Sequence, residues 1–259
     1  MLATPEDRNI FRALLGTFQK PGKVPGDFGE LLLALGLSLL GTPYALHPLD
    51  RAEEERPVIN LRELDCFTFL ENTVALAGII RAGKTDFTDF ADLLTAIRYR
   101  QGRPDGYASR LHYFTDWLHD NQRKGFLADI TGNLGGEPWR KEFNYMTAHR
   151  EQYPALKSAH VYRQLRAVEE NCSARSYHLL TKDSLRSGVN IKNGDLLAIV
   201  TSLEGLDVVH VGLAIHLKKR LHLLHASRQA GKVVVSETTL YRYLRQKKSR
   251  QGIMVARAL

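Results

Sequence analysis

Residues 207–217 read DVVHVGLAIHL, a stretch in which branched apolar side chains alternate with polar or small ones. Because neighbouring side chains of a β-strand point to opposite faces, Val211 and Leu213 share one face while His210 and Gly212 share the other. The second face is small apart from its histidines, which leaves room for a helix end or a substrate. The stretch predicts a strand with one core face and one functional face.

Short apolar runs surround this strand and predict an antiparallel sheet in the last third of the chain. They cover residues 195–200, 221–226, 232–237 and 252–259. The upstream part instead shows helical spacing and caps, and predicts helices at about 27–40, 66–80, 86–97, 109–121 and 155–171. We therefore expect an α+β fold: a single catalytic domain over residues 1–259, helical over about 1–190 and β-rich over about 191–259.

The composition is that of a basic globular protein. Lys and Arg number 36 against 28 Asp and Glu, a net charge of +8, which suits an anionic partner. The basic residues are scattered, and the densest run, 242–250, is expected to be a solvated face. No nucleic-acid motif accompanies it, so we expect no nucleic-acid partner. The apolar run 31–40 is too short to cross a bilayer and predicts a core helix, so no integral membrane segment is expected.

The chain has two cysteines, Cys66 and Cys172, so it is no disulfide scaffold, although one bridge between them is open in an oxidising compartment. Cys66 begins a predicted helix. A thiol there is either a small core residue or a nucleophile whose pKa the helix end and an imidazolium lower. His210 and His225 share a face if the hairpin loop between them has an even number of residues. The three together fit a cysteine hydrolase, or alternatively a zinc site.

Several segments, in order along the chain, closely resemble one bacterial family. They are NLRELDCFTFLENTVALA, DGYASRLHYFTDWL, GDLLAIVTSLEGLDVVHVGLAIH, LHLLHASRQAGKVVVS and GIMV. The family is the N-acetylmuramoyl-L-alanine amidase-like family, within the NlpC-type superfamily of papain-like cell-wall cysteine peptidases, and the resemblance runs from about residue 41 to residue 259. It implies a papain-like fold, with an N-terminal helical half packed on a C-terminal antiparallel sheet.

The resemblance also implies roles for single residues. Cys66 is the nucleophile, His210 the general base and His225 the member that orients it. Asp65, before the cysteine, would bind a substrate amine, and Tyr44 would line the site. Asp65 also has a structural interpretation as a helix cap, and Tyr44 has one as a core residue.

A further segment, SRLHYF, is typical of this family rather than of the superfamily. It makes Ser109, Arg110, His112 and Tyr113 the candidates for substrate selectivity. Arg110 could hold a stem-peptide carboxylate by a bidentate pair, or could form a surface salt bridge on its helix.

The activity that the resemblance implies is hydrolysis of the N-acetylmuramoyl–L-alanine amide bond of peptidoglycan or its fragments. A Cys66–His210 ion pair would carry it out, with no metal or organic cofactor. An endopeptidase that cuts between γ-D-glutamate and the diamino acid is the alternative, and a binding domain that keeps only the fold is another. The substrate favours the periplasm or cell envelope. Residues 1–11 contain no apolar signal core, so a cytoplasmic location stays open.

Overall fold

The computed structural model describes residues 1–18, 24–50 and 54–259. The α-helices follow one another along the chain, with most of them in its first two thirds. They are α1 (Pro5–Phe18), α2 (Phe28–Ser38), α3 (Cys66–Arg81), α4 (Phe87–Arg98), α5 (Phe114–Arg123), α6 (Tyr145–Ala148), α7 (Ala159–Ser173) and α8 (Leu240–Arg245).

The strands form one antiparallel sheet. They are β1 (Leu127–Asp129), β2 (Glu137–Trp139), β3 (Tyr177–Thr181), β4 (Leu196–Thr201), β5 (Val208–Leu217), β6 (Arg220–Ser227), β7 (Lys232–Val235) and β8 (Arg250–Ala258). Their spatial order is β2-β3-β8-β4-β5-β6-β7, and β1 pairs separately with β8. The fold is therefore α+β with an antiparallel sheet, as the sequence predicts.

Helices cover both faces of the sheet. On one face, α2 and α3 pack against β5, and the main core includes Phe69, Leu213 and Leu224. Gly36 on α2 permits this close approach, since a Cβ there would lie 2.9 Å from side-chain carbons of Leu213 and Leu224. A smaller apolar cluster covers the other face beneath α8, where Leu240 is buried. The sheet is thus held between two apolar layers.

The hairpin of β5 and β6 decides where the histidines point. Leu217 pairs with Arg220, so the loop has two residues, Lys218 and Lys219, both at positive φ (49° and 64°). An even loop puts His210 and His225 on the same face of the sheet.

Two predicted boundaries are wrong. The segment predicted as a helix at 109–121 becomes α-helical only at Phe114, because the backbone at Arg110 is extended and bridges to Tyr99 instead. The part predicted to be helical also contributes three short strands, β1, β2 and β3, to the sheet. The β-rich part of the chain therefore draws on residues well before 191.

No helix within the described ranges is long and apolar enough to cross a membrane.

Candidate active site

Helix α3 starts with a capping box that fixes the position of Cys66. The Asp65 carboxylate accepts hydrogen bonds from the Thr68 backbone N–H (2.7 Å) and hydroxyl (2.8 Å), while Thr68 Oγ1 accepts from the Asp65 backbone N–H (3.0 Å). Such reciprocal bonds satisfy orphan donors at the helix start. Cys66 follows directly as the first residue of the helix and is half-buried.

Cys66, His210 and His225 line one cleft of about 1040 Å³. Its lining comes from the start of α3, from strands β5, β6 and β7, from α8 and from the start of β8. Tyr44, which the resemblance places at the site, and Arg250 also line this cleft. The three residues that the sequence selects for chemistry therefore share one solvent-accessible space.

The two histidines are joined directly. His210 Nε2 and His225 Nδ1 share a short hydrogen bond, and their rings are nearly perpendicular, at 85° with centroids 4.6 Å apart. Gly212 faces His225 across the hairpin, where a Cβ would lie 3.0 Å from the His225 Cβ. The pairing occupies Nε2 of His210 and leaves its Nδ1 for another partner.

The electrostatics of Cys66 differ from the prediction. Burial raises the pKa of the thiol to about 12, and the negative charge of Asp65 acts in the same direction. Hydrogen bonds from the backbone N–H groups of Val211, Cys66 and Phe67 oppose this shift without reversing it. The predicted lowering of the thiol pKa is therefore wrong for the free protein. The Val211 contact also places Cys66 beside the residue that follows His210.

The surroundings of both histidines disfavour the charged form of the imidazole. Burial, and then the charges of His225 and Arg250, lower the pKa of His210 well below 6.5. Burial and Arg250 lower the pKa of His225 to about 4. These directions favour a neutral thiol and neutral imidazoles over the predicted ion pair in the free protein.

Arg250 and Tyr243 belong to this site, and the sequence reasoning missed both. Arg250 lies in the basic run that we expected to be a solvated face, yet it is only 8% exposed. Its guanidinium lies over the Tyr243 ring, 3.9 Å from the centroid, and the same ring is 5.7 Å from that of His225. The burial of Arg250 could have been predicted from the apolar residues that follow it, because they place Arg250 at the start of a strand rather than on a loop.

The four selectivity candidates do not line the cleft with Cys66. Ser109 bonds within its own turn, to Asp105 N–H and Gly106 O. Arg110 is buried and pairs with Asp50 at 2.5 Å and Glu55 at 3.5 Å, so its charge is already neutralised by protein carboxylates.

The other two candidates are also engaged internally. His112 bonds to the Tyr107 carbonyl (2.9 Å), and burial lowers its pKa to about 3. The Tyr113 hydroxyl donates to Glu169 (2.6 Å). These contacts favour structural roles, and contact of the SRLHYF segment with substrate stays a prediction.

Cys66 and Cys172 are both free thiols. Cys172 is fully buried in the main core, on α7. Within the described ranges, no group of three or more His, Cys, Asp or Glu side chains is arranged to hold a metal ion.

The α+β fold and its Cys/His/His cleft fit the class of amide hydrolases. The family model described as N-acetylmuramoyl-L-alanine amidase-like (AmiA-like) matches residues 34–253. This chain belongs to that family. No curated protein matches it.

Solved structures support the assignment. An N-acetylmuramoyl-L-alanine amidase from Bacteroides uniformis is 38% identical with a TM-score of 0.86, and the match covers 90% of this chain and 100% of that one. A Bacteroides fragilis protein described as a candidate xylanase is 42% identical with a TM-score of 0.82, over 86% and 98% of the two chains. A Legionella pneumophila protein at 21% identity and TM-score 0.73, over 98% and 95%, shares the fold.

Proposed function

We propose that this chain is a cysteine-dependent amidase that hydrolyses the N-acetylmuramoyl–L-alanine amide bond of peptidoglycan or its fragments. The observation that carries the proposal is the His210–His225 pair, which lines the same cleft as the helix-capped Cys66. Membership of the amidase-like family supports the amide bond as the target. We further propose that the fold is of the papain-like, NlpC type, since a cysteine at a helix start shares a cleft with histidines on two neighbouring strands.

The hydrogen bond between the histidines sets which nitrogen acts. If His210 Nε2 carries its proton and donates to the bare Nδ1 of His225, then Nδ1 of His210 is an unprotonated acceptor. His225 then bears its own proton on Nε2. In this tautomer His225 orients the His210 ring, as the third member of a catalytic triad does.

The neutral resting state makes His210 a general base during attack. The Cys66 thiol loses its proton to His210 Nδ1 as the sulfur adds to the lactyl carbonyl carbon. The negative charge that develops on the carbonyl oxygen lies within reach of the Cys66 backbone N–H at the helix start, a suitable oxyanion donor. The protonated His210 then gives this proton to the nitrogen of L-alanine, and the C–N bond breaks.

The second half of the reaction hydrolyses the thioester and regenerates the Cys66 thiol. A water molecule gives a proton to His210 and adds to the thioester carbonyl, and the C–S bond breaks to release the lactyl carboxylic acid. The sulfur recovers its proton from His210. The sum is one amide and one water converted to one acid and one amine, with the Cys66 and His210 protons restored.

The cleft gives no support to glycosidase chemistry. Retaining and inverting glycosidases both use a pair of carboxyl groups across the scissile bond. Among the residues described as lining the cleft, Glu237 is the one carboxylate. The lining of the cleft therefore gives no reason to assign to this chain the xylanase activity in the name of the Bacteroides fragilis protein.

Product analysis on a defined muropeptide tests the proposal. The amidase releases free N-acetylmuramic acid and a peptide that begins with L-alanine. The alternative endopeptidase would release a fragment that begins with the diamino acid and leave the lactyl amide intact. Detection of only this second fragment by mass spectrometry would refute the amidase assignment while leaving the cysteine chemistry in place. We propose a periplasmic or cell-envelope location because the substrate lies there.

A further inference from the structure

We propose that Arg250 is a binding residue for a substrate carboxylate, the free α-carboxylate of the D-glutamyl residue that follows L-alanine in the stem peptide. This inference rests on the proposed function, because it assumes a muropeptide in the cleft. It identifies the part of the substrate that the buried end of the cleft recognises.

The Arg250 guanidinium has unused hydrogen-bonding capacity. It is 8% exposed and lines the cleft, and one Nη1–H donates to the backbone carbonyl of Tyr243. Its Nε is buried and has no hydrogen-bond partner. A buried donor without a partner costs free energy, which a bound acceptor would recover.

The positive charges of two other buried arginines of this protein are balanced by carboxylates of the protein itself. Arg98 pairs with Glu71 at 2.7 Å, and Arg110 pairs with Asp50 and Glu55. Within the described ranges no carboxylate, Glu237 of the same cleft included, forms an ion pair with Arg250. A buried charge without a counter-ion is costly, and a carboxylate supplied by a ligand removes the cost.

The position of Arg250 limits where on the substrate this carboxylate sits. The Tyr243 ring beneath the guanidinium is 5.7 Å from the His225 ring and 6.4 Å from the His210 ring. The anion must therefore lie close to the scissile bond.

Few groups of the substrate that lie close to the scissile bond carry a negative charge. The lactyl carboxyl of N-acetylmuramic acid is uncharged while it forms the amide, and the sugar carries only neutral groups. On the leaving side, the α-carboxylate of the second residue is about one residue, roughly 3.5 Å of extended chain, beyond L-alanine. It is the first anion along the stem peptide.

Binding of two matched ligands tests the inference. Both are N-acetylmuramoyl tripeptides, one with the α-carboxylate of D-glutamate free and the other with that group as its amide. Calorimetry in a Cys66→Ala background avoids turnover. We expect the carboxylate ligand to bind about 10- to 100-fold more tightly, the range of a charged hydrogen bond. In the same background Arg250→Gln should bring the ratio of the two affinities to about one, and Arg250→Lys should keep part of the preference.

Arg245→Gln is the matched control, because Arg245 is on α8 but does not line the cleft. It should leave the ratio unchanged. Equal affinity of the Cys66→Ala protein for both ligands, binding of neither, or an equal loss for both in Arg250→Gln, would overturn the inference. Because the ratio is measured without hydrolysis, it is independent of which bond the wild-type protein cuts. Failure of the amidase assignment is thus distinguishable from failure of the proposed role of Arg250.

Discussion

The helix start and the burial of Cys66 shift the pKa of its thiol in opposite directions. The helix start favours the thiolate by about 0.3–1 kcal/mol, less than one pKa unit. Burial of a titratable group can move a pKa by several units, and here Asp65 adds a like charge. Burial is the larger effect, so the net shift of the thiol pKa is upward. The sequence shows that Cys66 begins a helix but not how deep the thiol lies, which is why the direction of its pKa shift could not be predicted.

Alkylation of Cys66 by iodoacetamide should therefore rise steadily with pH. Below a raised pKa, the thiolate fraction grows tenfold for each pH unit, so the rate should increase about tenfold per unit from pH 6 to 9 without a plateau. The measurement is the second-order rate in a Cys172→Ala background. Asp65→Asn keeps the cap acceptor but removes the charge, and should raise the rate at each pH.

A rate that is flat between pH 5 and 8 would contradict this account, because it would report a preformed thiolate–imidazolium pair.

The β5–β6 hairpin shows what an element contributes to the site. Alternation along 207–217 predicts the face of His210, and the structure agrees. The face of His225 could not be predicted, because Lys218 and Lys219 adopt positive φ in a turn that usually contains Gly, Asn or Asp. Strands β1 and β2 were missed for another reason: three residues are too few to show an alternating pattern.

Gly212→Ala should disturb the histidine pair. A Cβ at Gly212 would lie 2.5 Å from the Leu224 carbonyl oxygen and 3.0 Å from the His225 Cβ, and the carbonyl belongs to the sheet backbone. We expect a loss of about 1–3 kcal/mol of stability and a fall in kcat of about tenfold or more, measured by urea denaturation and muropeptide turnover.

Gly16→Ala is the control, since a Cβ there meets nothing within 4 Å and alanine favours the helix α1. Unchanged stability and turnover in Gly212→Ala would show that the close approach has no role in holding His225.

At the scale of the whole molecule, a buried ion pair fixes the helix that carries Cys66. Arg98 at the end of α4 pairs with Glu71 within α3 at 2.7 Å, with 2% and 1% of the side chains exposed. Arg98 also donates to the Val58 carbonyl, in the segment before α3. The pair therefore connects three separate parts of the helical layer. The spacing of acids and bases along the sequence does not reveal such a contact.

Glu71→Ala should destabilise the protein by about 3–5 kcal/mol, because it leaves the Arg98 charge buried without a partner. The double variant Glu71→Leu/Arg98→Met should lose less, since no charge remains. Urea denaturation measures both. Glu170→Ala, which breaks an exposed pair with Arg166, should show little change. A Glu71→Ala protein as stable as the wild type would contradict this role.

The most direct test of the central claim is turnover of one defined muropeptide by the wild type, Cys66→Ala and Cys172→Ala. We predict that Cys66→Ala loses at least about a thousandfold in kcat, because it removes the nucleophile. Cys172→Ala should cleave the lactyl–L-alanine bond at close to the wild-type rate, with a lower Tm from the cavity left in the core. Release of L-alanyl peptide by Cys66→Ala at the wild-type rate would contradict the account.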